Sequence, residues 1–163
     1  MKYSESTAQN LNALSDAMNI IITEEMREKI QGIYGGGTNI NLTKVPFGEF
    51  QLVLQLPCGP AKVDTLVSAF KSELDAIAQN GIAQSYVDKV KKAWIEKYKV
   101  DVKKNEYWLS ALQSIHKEEK SAERIINAQT YYEQLSSDDI KRAANMLKNA
   151  PTQIIAIQMP EAK

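Results

Sequence analysis

Apolar residues along the opening of the chain recur at three- and four-residue intervals: Leu11, Leu14, Met18, Ile21 and Ile22. That period predicts one long helix over about residues 5–31, with Gly32 as its stop. The period then changes. Residues 33–43 and 48–56 are predicted as two strands joined by a short loop around Lys44-Val45-Pro46. In the second, Phe50, Leu52, Leu54 and Leu56 alternate with Glu49, Gln51, Val53 and Gln55. One face is apolar and the other largely polar, the pattern of an antiparallel sheet covered on one side.

Helical spacing then returns. Gly59-Pro60 opens a second helix with proline near its first turn. Val63, Leu66, Val67, Phe70, Leu74 and Ile77 form its apolar stripe, and Asn80-Gly81 ends it. A third helix is predicted from about Gln84 to Lys103, with Val87, Val90 and Trp94 inward. Asn105 is the predicted cap of a fourth, which carries Trp108, Leu109, Leu112 and Ile115. A less regular stretch crosses Ser121 to Gln134. Ser136 or Ser137 then caps a helix of Ile140, Ala143, Ala144 and Leu147. After Pro151, Ile154-Ile155-Ala156-Ile157 is predicted as a final strand.

This order of elements defines an α+β fold: an antiparallel sheet, made of a hairpin and a C-terminal strand, with several helices on one face. Three strands are few for so many helices. So narrow a sheet leaves open edges and uncovered apolar helix faces. Further strands are therefore expected upstream of Met1 or from a partner, and residues 1–163 are expected to form a single partial domain.

Composition narrows the chemistry. The 163 residues are 44% apolar and 25% charged, with 20 basic and 20 acidic side chains. The balance gives no drive toward nucleic acid or anionic membranes, and no apolar run approaches the roughly 20 residues that span a bilayer. Neither a nucleic-acid partner nor membrane insertion is expected. One cysteine, Cys58, excludes an internal disulfide and leaves the compartment open. One histidine, His116, is too few for a zinc site built mainly of histidine and cysteine.

Four stretches, in order, resemble the pitrilysin/insulinase family of zinc metallopeptidases. Met26-Arg27-Glu28-Lys29-Ile30-Gln31-Gly32-Ile33-Tyr34 is similar to its L-R-E-K-x-G-x-x-Y stretch. Phe50 to Pro60 resembles its strand and turn into a helix. Asn105-Glu106-Tyr107-Trp108-Leu109 resembles its N-x-x-W-L helix start, and Leu135 through Ile157 and Pro160 its terminal helix and strand. The resemblance covers almost the whole chain. It implies a mitochondrial processing peptidase-like fold and the zinc-free, C-terminal part of a two-half enzyme. Zinc would sit on an inverted His-x-x-Glu-His motif in the N-terminal half, with none in this chain. The partners implied are that half and a peptide or protein substrate. Arg27 and Tyr34 match the positions that face the scissile peptide bond from across a closed chamber. A bacterial periplasm or cytoplasm would suit either way, and a homodimer formed through open strand edges is conceivable.

Each site has a structural alternative. Arg27 and Tyr34 offer donors to a developing oxyanion; equally, Arg27 suits a helix C-terminus and Tyr34 suits a core. Strict alternation places Tyr34 on the face of Ile40 and Leu42. Gly35-Gly36-Gly37 could host a bulge that reverses the face, or mark a close approach of substrate backbone. Glu49, Gln51 and Gln55 could line the chamber or simply face solvent. His116, followed by Lys117-Glu118-Glu119, reads as a solvated helix end, and Cys58 as a small packed residue rather than half of a Cys58–His116 dyad. The lysines at 89, 91, 92, 97, 99, 103 and 104, with Trp94 and Tyr98, form the one basic cluster; a solvated helix accounts for it better than a nucleic-acid surface. The competing reading of the whole chain is a non-catalytic scaffold or assembly subunit of the same fold.

Overall fold

The computed structural model describes residues 3–29, 33 and 35–159. Helix α1 spans Glu5–Ile21, started by Ser4, whose hydroxyl accepts from Thr7 N–H at 3.0 Å. It continues without a break as a π-helix over Ile22–Lys29. Leu14, Met18, Ile22 and Met26 are all fully buried and lie four residues apart. An α-helix has about 3.6 residues per turn, so a stripe of residues four apart overshoots each turn and drifts around the axis. The wider i→i+5 turns take up that drift and keep Ile22 and Met26 on the core side.

Strands β1 (Gly37–Thr43) and β2 (Glu49–Gln55) form an antiparallel hairpin with Gly37 opposite Gln55 and Thr43 opposite Glu49. Ile40, Leu42, Phe50, Leu52 and Leu54 pack toward the core, while Asn39, Asn41 and Gln51 face out. The alternation of the sequence is thus realised. The strands are shorter than expected at one end: residue 33 joins the sheet only through an isolated bridge to Cys58. Gly36, with φ 94°, breaks the extended path between that bridge and β1.

A short 3-10 turn, Pro60–Lys62, leads into α2 (Val63–Asn80). Gly81, with φ 80°, ends α2, and α3 runs Gln84–Asp101. Helix α4 spans Asn105–Glu118, followed by short α5 (Ala122–Ile126) and α6 (Ala128–Glu133) and by α7 (Ser137–Lys148). The cap of α4 differs from expectation. Lys104 holds the extended cap position, without a side-chain bond, and Asn105 is already helical. Ser136 is the cap of α7: its hydroxyl receives Asp139 N–H, and the Asp139 carboxylate receives Ser136 N–H at 2.9 Å. That reciprocal pair satisfies two otherwise orphaned donors.

Helix α1 is the axis of the molecule, touching β1, α3 and α7. Ala13 and Ala17 on α1 and Ala143 and Ala144 on α7 are fully buried, and side chains this small let two helices approach closely. Leu66 and Ile77 of α2, Val87 and Val90 of α3, and Ile140 of α7 complete the core. Each such aliphatic side chain contributes roughly 1.5–3 kcal/mol by leaving water.

The α+β class holds, with helices against one face of an antiparallel hairpin. The predicted C-terminal strand does not: residues 152–159 pair with no strand among the described residues, and Ile154 is 85% exposed. A strand needs a neighbour for its backbone groups, and the hairpin does not reach this segment.

Candidate substrate-facing site

Arg27 lies in the last turn of the π-helix. Met26 before it is fully buried, which anchors the turn and directs Arg27 outward. Its side chain is 56% exposed and meets the Glu28 carboxylate at 4.0 Å. An exposed pair of adjacent residues at that distance holds the guanidinium weakly. Long π-helical stretches are rare, and π turns occur often at functional sites. Tyr34 lies outside the described residues.

The segment on either side of Tyr34 is closely held. Ile33 is buried and bridges to Cys58. A Cβ on Gly36 would lie 2.1 Å from the Gln55 carbonyl oxygen and 2.8 Å from the Pro57 ring. A Cβ on Gly37 would lie 2.5 Å from Asn19 Oδ1. Gly36 and Gly37, though not Gly35, are therefore demanded by the protein's own strand β2 and helix α1. A bulge or an approaching substrate is not needed to explain them. Thr38 then enters a buried polar knot. Its N–H donates to Asn19 Oδ1 at 2.6 Å, and its carbonyl accepts from Asn19 Nδ2 at 3.0 Å. Its hydroxyl donates to the Ser15 carbonyl at 2.9 Å and lies 3.0 Å from Ser15 Oγ.

On the other side of the π-helix, Ile21, Glu25, Ile77, Asn80, Ile82 and Tyr86 line an open cleft of about 200 Å³. Tyr86 donates to Glu24 at 2.9 Å, and Lys89 reaches the same carboxylate at 2.6 Å. Burial, then the bond to Glu24 and the nearby charges of Glu24, Glu25 and Glu73, push the Tyr86 phenol above its ordinary value. The hydrophobic pattern does not reveal this cleft, because its lining comes from helices far apart in sequence.

The remaining candidates are dispersed. His116 is exposed in the last turn of α4. That end of α4 meets the hairpin tip, where Lys44 pairs with the Glu118 carbonyl and lies 3.9 Å from Glu119. Cys58 lies beyond the opposite end of β2, roughly 20 Å away by strand length, so the two form no dyad. Among the described residues, no three His, Cys, Asp or Glu side chains stand close enough to share a metal ion. Part of the lysine cluster is paired in place: Lys99 with Glu96 at 2.9 Å, Lys89 with Glu24 at 2.6 Å, Lys104 with Asp101 at 2.8 Å, and Lys97 also with Asp101. Those last two lysines hold the Asp101 carboxyl below its ordinary value. Trp94 is half-buried; its indole N–H donates to Asp16 at 2.6 Å and its ring meets Tyr132 edge-on. No described helix is long and apolar enough to cross a membrane.

The fold recurs in solved structures of proteases. The chain superposes with a TM-score of 0.72 on the periplasmic protease PqqL from Escherichia coli, at 12% identity over 88% of the chain. It superposes with 0.73 on a protease from Helicobacter pylori, at 14% identity over 88%. The ferredoxin protease FusC, in complex with Arabidopsis ferredoxin, gives 0.71 at 13% identity over 89%. In sequence, 85% of the chain is 27% identical to the chloroplastic stromal processing peptidase of Arabidopsis thaliana. No family model matches the chain. Fold and sequence similarity together bear out the resemblance to pitrilysin/insulinase-type peptidases. The chain spans 11% of the stromal peptidase, 16% of PqqL and of FusC, and 35% of the Helicobacter protein.

Proposed function

We propose that this chain is the zinc-free, substrate-side part of a two-part metallopeptidase. Residues 1–163 would form one partial domain of it, and the metal would be bound by the other, N-terminal half. The observation that carries the reading is the exposed guanidinium of Arg27, set on a π turn between a buried anchor and a glycine-rich return to the sheet. When water adds to a peptide carbonyl, negative charge develops on the carbonyl oxygen. A fixed cation with forked N–H donors stabilises that charge more than it stabilises the neutral substrate. Arg27 would supply those donors, and the Tyr34 hydroxyl a further one. Zinc in the other half would supply activated water. The amide-bearing outer face of the hairpin, with Asn39, Asn41 and Gln51, suits a peptide chain whose backbone needs both donors and acceptors. The substrate class is peptide or protein; the complex of FusC with ferredoxin supports a protein substrate for an enzyme of this fold.

The test uses the enzyme assembled from this chain and its zinc-bearing half. Arg27→Ala is expected to lower kcat on the order of 10²–10³-fold, with zinc content unchanged. Turnover equal to that of the unaltered enzyme would contradict the assignment.

A further inference from the structure

We infer that Asn19 and Thr38 are positioning residues, whose buried polar knot sets the angle and distance between the helix that carries Arg27 and the strand that follows Tyr34. This rests on the assignment of Arg27 and Tyr34 to the substrate side.

Arg27 is on the π-helix continuous with α1, and β1 begins at Gly37, ten residues later in the sequence. Something must fix one element against the other. The apolar contacts between α1 and β1 are non-directional and tolerate small slides. The hydrogen bonds of the knot do not. The Asn19 side-chain amide bonds both the N–H and the C=O of Thr38, at 2.6 and 3.0 Å, as a neighbouring strand would. The single proton of the Thr38 hydroxyl makes a third link, to the Ser15 carbonyl at 2.9 Å, with Asn19 Oδ1 as the alternative acceptor at 3.1 Å. Ser15 and Thr38 are the buried polar side chains among the described residues. A polar group buried this deeply is costly when unpaired, so the network tolerates one arrangement. Gly37 permits it, because a Cβ there would meet Asn19 Oδ1 at 2.5 Å.

Such a clamp does not touch substrate. It acts through where it places the helix that carries Arg27, and a misplacement of about 1 Å at a site of this kind costs on the order of 10²-fold in rate. The same knot could serve the fold alone, and kinetics separate the two roles. In the assembled enzyme, Thr38→Val removes the hydroxyl at nearly constant shape, and Asn19→Leu removes the amide. Both are measured well below their melting temperatures. Positioning predicts that kcat falls about tenfold or more while KM changes little. Thr38→Ser, which keeps the hydroxyl, should recover most of the turnover. Combining Asn19→Leu with Arg27→Ala should be little slower than Arg27→Ala alone, because the clamp acts through the group already removed. Folded Thr38→Val and Asn19→Leu enzymes with unaltered kcat and only a lower melting temperature would overturn the inference, while leaving Arg27 in its role if Arg27→Ala is slow. Unaltered turnover in Arg27→Ala would overturn both.

Discussion

At Gly36 the backbone takes φ 94°, with the Gln55 carbonyl oxygen 2.1 Å from where a Cβ would sit. Two costs coincide there. A side chain at positive φ is disfavoured by roughly 1–2 kcal/mol, and the clash is with backbone that cannot rotate away. Gly36→Ala is therefore expected to destabilise the fold by more than about 2 kcal/mol, read as a lower urea midpoint. At Gly35, by contrast, nothing lies within 4 Å of a built Cβ, so Gly35→Ala should have a much smaller effect. Equal losses at the two positions would refute this account of the glycine run. The run itself is visible in the sequence. Its cause is not, because the atoms that demand it belong to Gln55, Pro57 and Asn19, which only the folded hairpin brings near.

The helices show where local pattern suffices. Ser136 and Asp139 stand three apart at the head of an apolar stripe, and the capping box forms between them. Asn80-Gly81 likewise ends α2 as its composition suggests. The π-helix was hidden, since four-residue spacing over a few turns looks like an ordinary amphipathic helix. The final strand is absent among the described residues for a different reason: its isoleucines have strand character, yet a strand depends on a partner that no local pattern contains. Between α3, α4 and α6, a chain of edge-to-face rings joins Trp94, Tyr132, Tyr98, Tyr107 and Trp108. Burial there raises the Tyr132 and Tyr107 phenols above their ordinary value. A group whose proton is held more tightly in the folded state adds stability in full below the unfolded pKa. That stability is lost as pH rises through the folded value. The stability of the chain should therefore fall above about pH 10, and Tyr132→Phe should make the urea midpoint less steep in pH over that range. An unchanged slope would show that Tyr132 is not buried in this cluster.

On the scale of the whole molecule, one helix serves both stability and the proposed chemistry. Its α part carries the core and the knot at Asn19; its π part carries Arg27. The two-stranded sheet is narrow for the helices it supports. Isoleucines 154, 155 and 157 lie exposed in a segment without a strand partner among the described residues. The chain spans 11–35% of the length of the peptidases it resembles, and the proposed partial domain would account for both features. The most direct measurement is hydrolysis of an unstructured peptide by this chain, by the zinc-bearing half, and by the two mixed, with zinc quantified in each. The account predicts efficient cleavage in the mixture alone, with zinc following the other half. Cleavage by this chain unaided, together with one zinc ion per chain, would contradict it.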